Sequence, residues 1–540
     1  MQPVLNIQDV RDVERALDAE GVSLSELMYR AGVAASREVR DLNDDGLVTV
    51  FVGTGNNGGD GWVAAADLLR HGVPVRVVTP VEASAIPSAL ARAAAEDALR
   101  QGVEALVKPT PEQVYELLGQ SGTVLDAIFG TGFHGEPGDP YSWWIDAINA
   151  SGVSVVAVDV PSGLSAQSGH AAGACVSADV TVTMIALKPG LVSDQGRDAC
   201  GSIVVAPLAE QTERLAVGAD PLAFRTDFED YLDVLDTPSS SVDKFTRGSV
   251  LVVGGSSRFP GAAMMAARAA ARAGAGYVTL AVPSPIAPIV QMQMVEIPVV
   301  ALPSLEDGTI SPRAADLVRR LASKRSATLV GPGMRATSGT ANVVTKLLEA
   351  DIPLVIDADG LNCLAHMAGG HLDAAPQLLR RRCPVVLTPH RGELGRLVGC
   401  SDNMPDSLAT CIEAARSIVW EVGGRELCVV AKGPATACVG VEVALLPKPG
   451  PAALATAGSG DVLAGIMASL LAQGLADGDA IENLPLVAAL ACEVHAYAGS
   501  IAAERYGSRG VMAGDVIEAI GLASDTLAEH IMFPDAAFAD

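Results

Sequence analysis

Aromatic residues are scarce in this chain of 540 residues: Phe, Trp and Tyr together make up 4%, although 49% of the chain is hydrophobic. A core short of rings has to be built from Ala, Val and Leu, which suits parallel sheets linked by glycine-lined loops. Basic residues are also few, 37 Lys and Arg against 63 Asp and Glu, for a formal net charge of -26. That balance argues against nucleic acid or an anionic membrane as a bulk partner, so any phosphate ligand must be held locally by amides, a lysine or a bound cation. The nine cysteines (175, 200, 363, 383, 400, 411, 428, 438 and 492) are odd in number and contain no Cys-x-x-Cys pair. This is a reduced, cytosolic pattern. The opening MQPVLNIQDVRDVERALDAEG lacks a basic segment followed by an apolar one, and the most apolar run, LPLVAALACEVHAYAG, is interrupted by Glu493 and His495 within a span too short for a bilayer. A soluble cytoplasmic protein is expected. No His/Cys pair has zinc spacing and no Gly-x-Ser-x-Gly elbow occurs, which disfavours transition-metal catalysis and serine hydrolysis.

What is present is alternation. The length predicts two or three domains. A helical pattern from Asp9 to about Leu42 precedes the strand-like runs LVTVFVG, PVRVVT, TVLDAIFG and VSVVAVDV, with helical text between them. A second series, SVLVVGGSS, GYVTLAVP, ATLVGPG, PLVIDADG, CPVVLTPH and LCVVAKG, follows an acidic, Ser/Pro-rich interruption. Strands and helices in alternation predict parallel sheets whose ligands lie over the strands' C-terminal ends. The expected organisation is a first domain over 1–215, a linker over 216–242 and a second domain over 243–540, with no shared repeat period.

The most informative stretch is LATAGSGDVLAGI, Leu454 to Ile466. Gly458, Ser459 and Gly460 leave amides bare at a helix start, where anions are stabilised, and Asp461 stands beside them. A carboxylate there can take a proton from a hydroxyl while the amides hold the phosphoryl group transferred to it. Gly-Ser-Gly-Asp is equally good helix-capping chemistry. Lys432 of VVAKGPAT ends a strand and can reach a phosphate, with Gly433 and Thr436 beside it; a lysine there can also be merely solvated. LTPHRGE puts His390 after a strand and Glu393 one turn on, LVIDADGLN puts Asp357 and Asp359 at another strand end, and VGPGM adds a glycine turn.

In the first half, GTGNNGGDG follows a strand and opens a helix, with Asn56, Asn57 and Asp60 offering side-chain oxygens. DAIFGTGFHGE and VAVDVPSGL each carry an aspartate, Asp126 and Asp159, at a strand's C-terminal end. With Asn57 and Ser162 these form an oxygen cage suited to a hard cation, leaving one carboxylate for acid/base work. Each aspartate taken alone could simply cap the following loop.

As a set these motifs resemble the bacterial bifunctional NAD(P)H-hydrate repair enzymes: an epimerase domain through GTGNNGGDGWVAA, DAIFGTGFHG and VDVPSGL, then a dehydratase domain through VLVVGGSSRFPGAA, VGPGM, IDADGLN, LTPHRGE, AKGPAT and AGSGDVLAGI. The resemblance implies a Rossmann-like three-layer α/β domain followed by a ribokinase-like α/β domain. It implies a first domain that interconverts the R and S hydrates of NADH and NADPH, with Asp159 catalytic and potassium held by Asn57, Asp126 and Ser162. Hydrate contacts fall there on Asn56, Asn57, Gly58, Gly59, Asp60, Gly130, Thr131, Gly132, Phe133, His134, Gly135, Glu136 and Asp159. It implies a second domain that dehydrates the S hydrate at the expense of ADP, with magnesium accompanying the nucleotide and Asp461 catalytic. Lys432, Gly433, Pro434, Ala435, Thr436 and Gly460 then meet the nucleotide; Ala262, Gly333, His390 and Asp461 meet the hydrate. It also implies a homo-oligomer. Arg335 stands where relatives usually carry glycine, and AGSGD replaces the commoner GGTGD. The competing expectation is a ribokinase-type kinase of a small alcohol fused to a binding or scaffold domain.

Overall fold

The computed structural model describes the chain except for residues 44–45, 233, 235–246, 368–380, 401–406, 423, 476–480, 482 and 533–540. The chain forms two compact units, one mainly Gln2–Ala223 and the other mainly the residues from Phe224 onward. The division falls inside the stretch expected as linker. Much of that stretch is structured: a helix ends at Gly218, Ala223–Arg225 is a strand, and Phe228–Tyr231 is a short turn of helix. Tyr231 is fully buried and shares a hydrogen bond of 2.7 Å with Thr226. An aromatic ring and a β-run within acidic text were the signals that this segment packs.

In the first unit the helical pattern from Asp9 to Leu42 resolves into two helices, Ile7–Ala19 and Leu24–Leu42. Gly21, at φ +97°, turns the chain, and the Ser23 hydroxyl accepts the Glu26 amide to start the second. Seven parallel strands follow in the order Glu104–Val107, Val75–Thr79, Leu47–Val52, Ser121–Ala127, Ser154–Val158, Val180–Met184, Ser202–Ala206. The chain first steps outward one way from Leu47–Val52, then returns to its other side at Ser121–Ala127. The loops after these two strands therefore diverge to opposite faces and open a crevice at the strand ends.

The second unit has its own sheet, with parallel strands in the order Val299–Leu302, Tyr277–Pro283, Ser249–Val253, Ala327–Val330, Leu354–Ile356, Val385–Leu387, Leu427–Ala431. A hairpin, Ala437–Val439 and Ala444–Leu446, continues it antiparallel. Small side chains let the layers approach closely. At Gly465 in the helix Ser459–Gly474, an added Cβ would lie 2.2 Å from the Ala266 carbonyl oxygen of the helix Pro260–Arg272. The apolar run judged too short for a bilayer sits in a longer helix, Leu484–Tyr506, of 23 residues, and 78% of its apolar window is buried inside the protein. Its Glu493 accepts from the Lys448 amide at 2.7 Å and the Tyr231 hydroxyl at 3.3 Å, so a buried carboxyl is satisfied.

Candidate active sites

In the first unit, the crevice between the diverging loops is a cavity of about 750 Å³. Asn56, Asn57 and Asp60 line it from the first turns of the helix Asn56–Arg70, Gly130 to His134 from the loop after Ser121–Ala127, and Asp159 from the end of Ser154–Val158. Thr131, Gly132 and Phe133 are part of that wall. Gly58 and Gly59 are buried behind it, while Gly135 and Glu136 lie off the wall. Asp126 and Ser162, fully buried, also stand behind the lining. Residues outside the motifs complete the wall: Arg11 and Glu14 from the first helix, and Lys188 after the strand Val180–Met184.

Asp159 has φ +67°, in the left-handed region that non-glycine residues enter uncommonly and aspartate more readily than most. Its Oδ1 accepts from Lys188 Nζ at 2.6 Å and its Oδ2 from the Thr131 amide at 3.2 Å. Lys188 is fully buried, and its ammonium also donates to Thr183 Oγ1 at 2.7 Å and to the Met184 carbonyl at 2.8 Å. Asp126 accepts from the Ser162 amide at 2.8 Å, the Ser162 hydroxyl at 2.6 Å and the Ile128 amide at 3.2 Å. Burial outweighs these bonds and pushes its carboxyl up to about 6. Asn57 Nδ2, whose side chain lies against Gly130, is buried without a hydrogen-bond partner among the described residues. Burial, then the neighbouring Asp159 and Glu14, pushes Asp60 well above the usual carboxylate range, and burial with Asp159 also raises Glu14.

In the second unit, Lys432 closes the strand Leu427–Ala431, and its Nζ donates to Asp357 Oδ1 at 2.8 Å. The same oxygen accepts the Thr388 hydroxyl at 2.8 Å. Three neighbouring strand ends thus fix one ammonium. Gly458, at φ +91°, caps the helix Ser459–Gly474, and a Cβ at Gly460 would stand 3.5 Å from Lys432 Nζ. Asp461 follows in the first turn, its carboxyl raised to about 6 by burial and by Asp357, with Lys432 opposing. Lys432 is itself raised: burial alone would lower it, but Asp357 keeps it charged. Behind the helix start, buried His495 meets Ser459 Oγ through Nε2 at 3.1 Å, and burial lowers it to about 4.

His390 is the cap of the helix Arg391–Leu397: its Nδ1 accepts the Gly392 amide at 3.0 Å while Glu393 accepts the His390 amide at 3.0 Å. The ring is exposed, and its Nε2 stands 3.4 Å from Glu393 Oε1. Glu393 is raised to about 7 by burial, against the pull of Lys432. Thr436 folds back on Gly433 through a 2.9 Å bond, making Gly433–Thr436 an exposed turn after Lys432, with Pro434 and Ala435 in it. Gly333, at φ +66°, lies against Ala262. Arg335 also takes a positive φ, +63°, its amide bound to Asp359 at 2.7 Å and its guanidinium to Asp307 at 3.3 Å. The sequence reading left out Lys188, Glu14 and, as a site residue, Asp357. A lone lysine in MIALKPG and a glutamate inside an amphipathic helix carry no local signal, whereas Asp357 was visible as a strand-end aspartate.

Residues 250–521 match the family described as NAD(P)H-hydrate dehydratase, and residues 24–190 match the one described as YjeF-related protein N-terminus. The chain is 34% identical over 550 residues to the bifunctional NAD(P)H-hydrate repair enzyme of Salinibacter ruber, covering 96% of this chain and 95% of that one. It is 33% identical to the corresponding enzyme of Escherichia coli K12, covering 95% and 92%. A solved structure, the ADP/ATP-dependent NAD(P)H-hydrate dehydratase from Bacillus subtilis co-crystallized with ATP/Mg2+, aligns at a TM-score of 0.46 and 22% identity, over 56% of this chain and 99% of that one.

Proposed function

The chain belongs to the family of bifunctional NAD(P)H-hydrate repair enzymes, and we propose that it restores hydrated NADH and NADPH in two steps: the first unit interconverts the R and S hydrates, and the second dehydrates the S hydrate using ADP. The observation that carries the second step is the cluster of Asp461, Lys432 and Asp357 at a bare helix start. Hydroxide is a poor leaving group. Asp461 takes the proton from the ring hydroxyl as that oxygen attacks the terminal phosphoryl group of ADP, giving AMP and a phosphorylated hydrate; the C–O bond then breaks with loss of phosphate, the adjacent ring carbon releases a proton to solvent, and the ring C=C bond forms. The Ser459 amide is taken by the Thr456 carbonyl at 3.3 Å, so the Gly460 and Asp461 amides are the ones that stabilise charge on the transferring group, and Lys432, fixed by Asp357, supplies a positive charge beside it. Magnesium would neutralise phosphate charge when the nucleotide is bound. Lys432, Gly433, Pro434, Ala435, Thr436 and Gly460 form the nucleotide side of the site, and Ala262, Gly333 and His390 the hydrate side.

In the first unit Asp159 is the carboxylate that works on the hydrate. The side-chain oxygens of Asn57, Asp126 and Ser162 are the hard donors that would hold a monovalent cation in this unit. A potassium ion held there would supply a fixed positive charge. We take the active form to be a cytoplasmic homo-oligomer with small-molecule substrates and no nucleic-acid or membrane partner.

The test is to mix the protein with acid-hydrated NADPH, with and without ADP, and follow reduced-ring absorbance together with free phosphate. Recovery of absorbance with one phosphate released per ring, dependent on ADP, is expected. A stable phosphorylated product with no recovery would identify a small-molecule kinase instead.

A further inference from the structure

We propose that two residues outside the glycine-rich motifs, Lys188 and Glu14, complete the epimerisation centre: Lys188 aims Asp159 as the proton acceptor, and Glu14 is the proton donor. The proposal rests on the epimerase reading of the first unit. Lys188 is buried, and all three of its ammonium protons are taken, by Asp159 Oδ1, Thr183 Oγ1 and the Met184 carbonyl. It has none left to offer a substrate, so its effect on one passes through Asp159. The contact at 2.6 Å, with the Thr131 amide on the other oxygen, fixes both carboxylate oxygens of Asp159, whose backbone is left-handed at φ +67°. Glu14 enters the same cavity from the helix Ile7–Ala19, which lies before the matched region 24–190. It is close enough to Asp159 and Lys188 to feel both charges, and its carboxyl is held above the usual range by burial and by Asp159. A carboxylate paired to a buried ammonium, facing a second carboxyl that is half-buried without such a partner, is an arrangement that can divide base from acid.

The hydrate carries its hydroxyl on a ring carbon bonded to the ring nitrogen. Glu14 gives its proton to that hydroxyl, the C–O bond breaks and water departs, and the nitrogen lone pair forms a C=N bond. Water then adds to the opposite face, the new C–O bond forms, the C=N pair returns to nitrogen, and the added water's proton goes to Asp159. No electron is gained or lost and no net water is consumed. Proton exchange between Asp159 and Glu14 resets the pair.

Epimerisation is measured from pure S or R hydrate of NADPH by chromatography of the two epimers, in full-length protein without ADP, over a range of pH. Glu14→Gln keeps the shape and removes the acid. A fall in kcat of about 10²-fold or more is expected, within the range for loss of a general acid, together with loss of the alkaline limb of the pH profile and little change in KM. Lys188→Met should lower kcat, with Lys188→Arg recovering part of it. The other charged and titratable groups facing this cavity are Arg11 on the first helix, Asp60 on the helix Asn56–Arg70 and His134 on the loop after Ser121–Ala127. Asp60→Asn, run in parallel, tells its limb from that of Glu14. A Glu14→Gln variant with unchanged kcat and an intact alkaline limb overturns the donor assignment. Wild-type kcat in a folded Lys188→Met overturns the positioning role, and if that variant does not fold, Lys188→Arg with an unaltered kcat and pH profile does the same. Wild-type protein that fails to interconvert the epimers would overturn the epimerase reading itself, a different result from either.

Discussion

Asp461 is where sequence and geometry meet most closely, since the residue that stands beside bare amides in the text also stands beside Lys432 and Asp357 in space. Asp461→Asn preserves shape and helix start but removes the base, so dehydration should fall by roughly 10²-fold to 10⁴-fold. ADP binding, read by calorimetry, should persist, because Lys432, Thr436 and the Gly460 amide are unchanged. Near-normal dehydration would leave Asp461 as a helix cap. A base works deprotonated, and this carboxyl is raised to about 6, chiefly by burial. Dehydration should therefore be level above pH 6 and decline as the pH drops through that value. A rate unchanged down to pH 4.5 would contradict the assignment. In the first unit Asp126→Asn removes a charge from the oxygen cage. If a cation sits there, the variant should lose dependence on potassium concentration, which a titration of epimerisation rate against potassium would read.

At the scale of elements, the small-residue composition has a mechanical consequence. The helices Ser459–Gly474 and Pro260–Arg272 touch backbone to backbone at Gly465, where a Cβ would stand 2.2 Å from a carbonyl oxygen. Gly465→Ala gains about 0.5–1 kcal/mol of helix preference, but overpacking a filled core costs about 1–3 kcal/mol, and the clash is with backbone, which cannot swing aside. The net expectation is destabilisation, with slower dehydration because Asp461 lies one turn earlier on the same helix. A melting temperature at or above wild type, by calorimetry, would refute it. The elements most legible in the sequence were the apolar runs of strand length: all six strands expected in the second half are present. Others had weaker signals. Glu104–Val107 and Val299–Leu302 are edge strands with little burial, so their pattern is diluted. Ala223–Arg225 is three residues long and owes its form to pairing with Ala444–Leu446, more than 200 positions away, which local text does not contain. Long-range partners explain the site residues as well. Asp126 and Asp159 were legible because strand ends announce themselves, whereas Lys188 matters only through the carboxylate it meets.

At the scale of the whole molecule, the two candidate sites belong to separate compact units with separate cores, so their chemistry should be separable by substitution. Asp159→Ala removes the carboxylate from the first crevice and leaves Lys188 buried with one acceptor fewer. The loss falls on a unit whose cluster of buried residues does not include the second unit's helix start. With ADP present, the variant should restore the S hydrate at the wild-type rate and stall on the R hydrate, leaving a residue that decays only as fast as the epimers interconvert unaided. A mixture enriched in R separates the outcomes. Wild-type protein should carry it to completion, since each S molecule removed is replaced through the first site, while the variant should stop near the initial S fraction. Complete recovery by the variant, faster than spontaneous interconversion, would exclude Asp159 from the chemistry. Loss of S-hydrate repair as well would mean that the units depend on each other for activity, and the division of labour proposed for them would have to be redrawn.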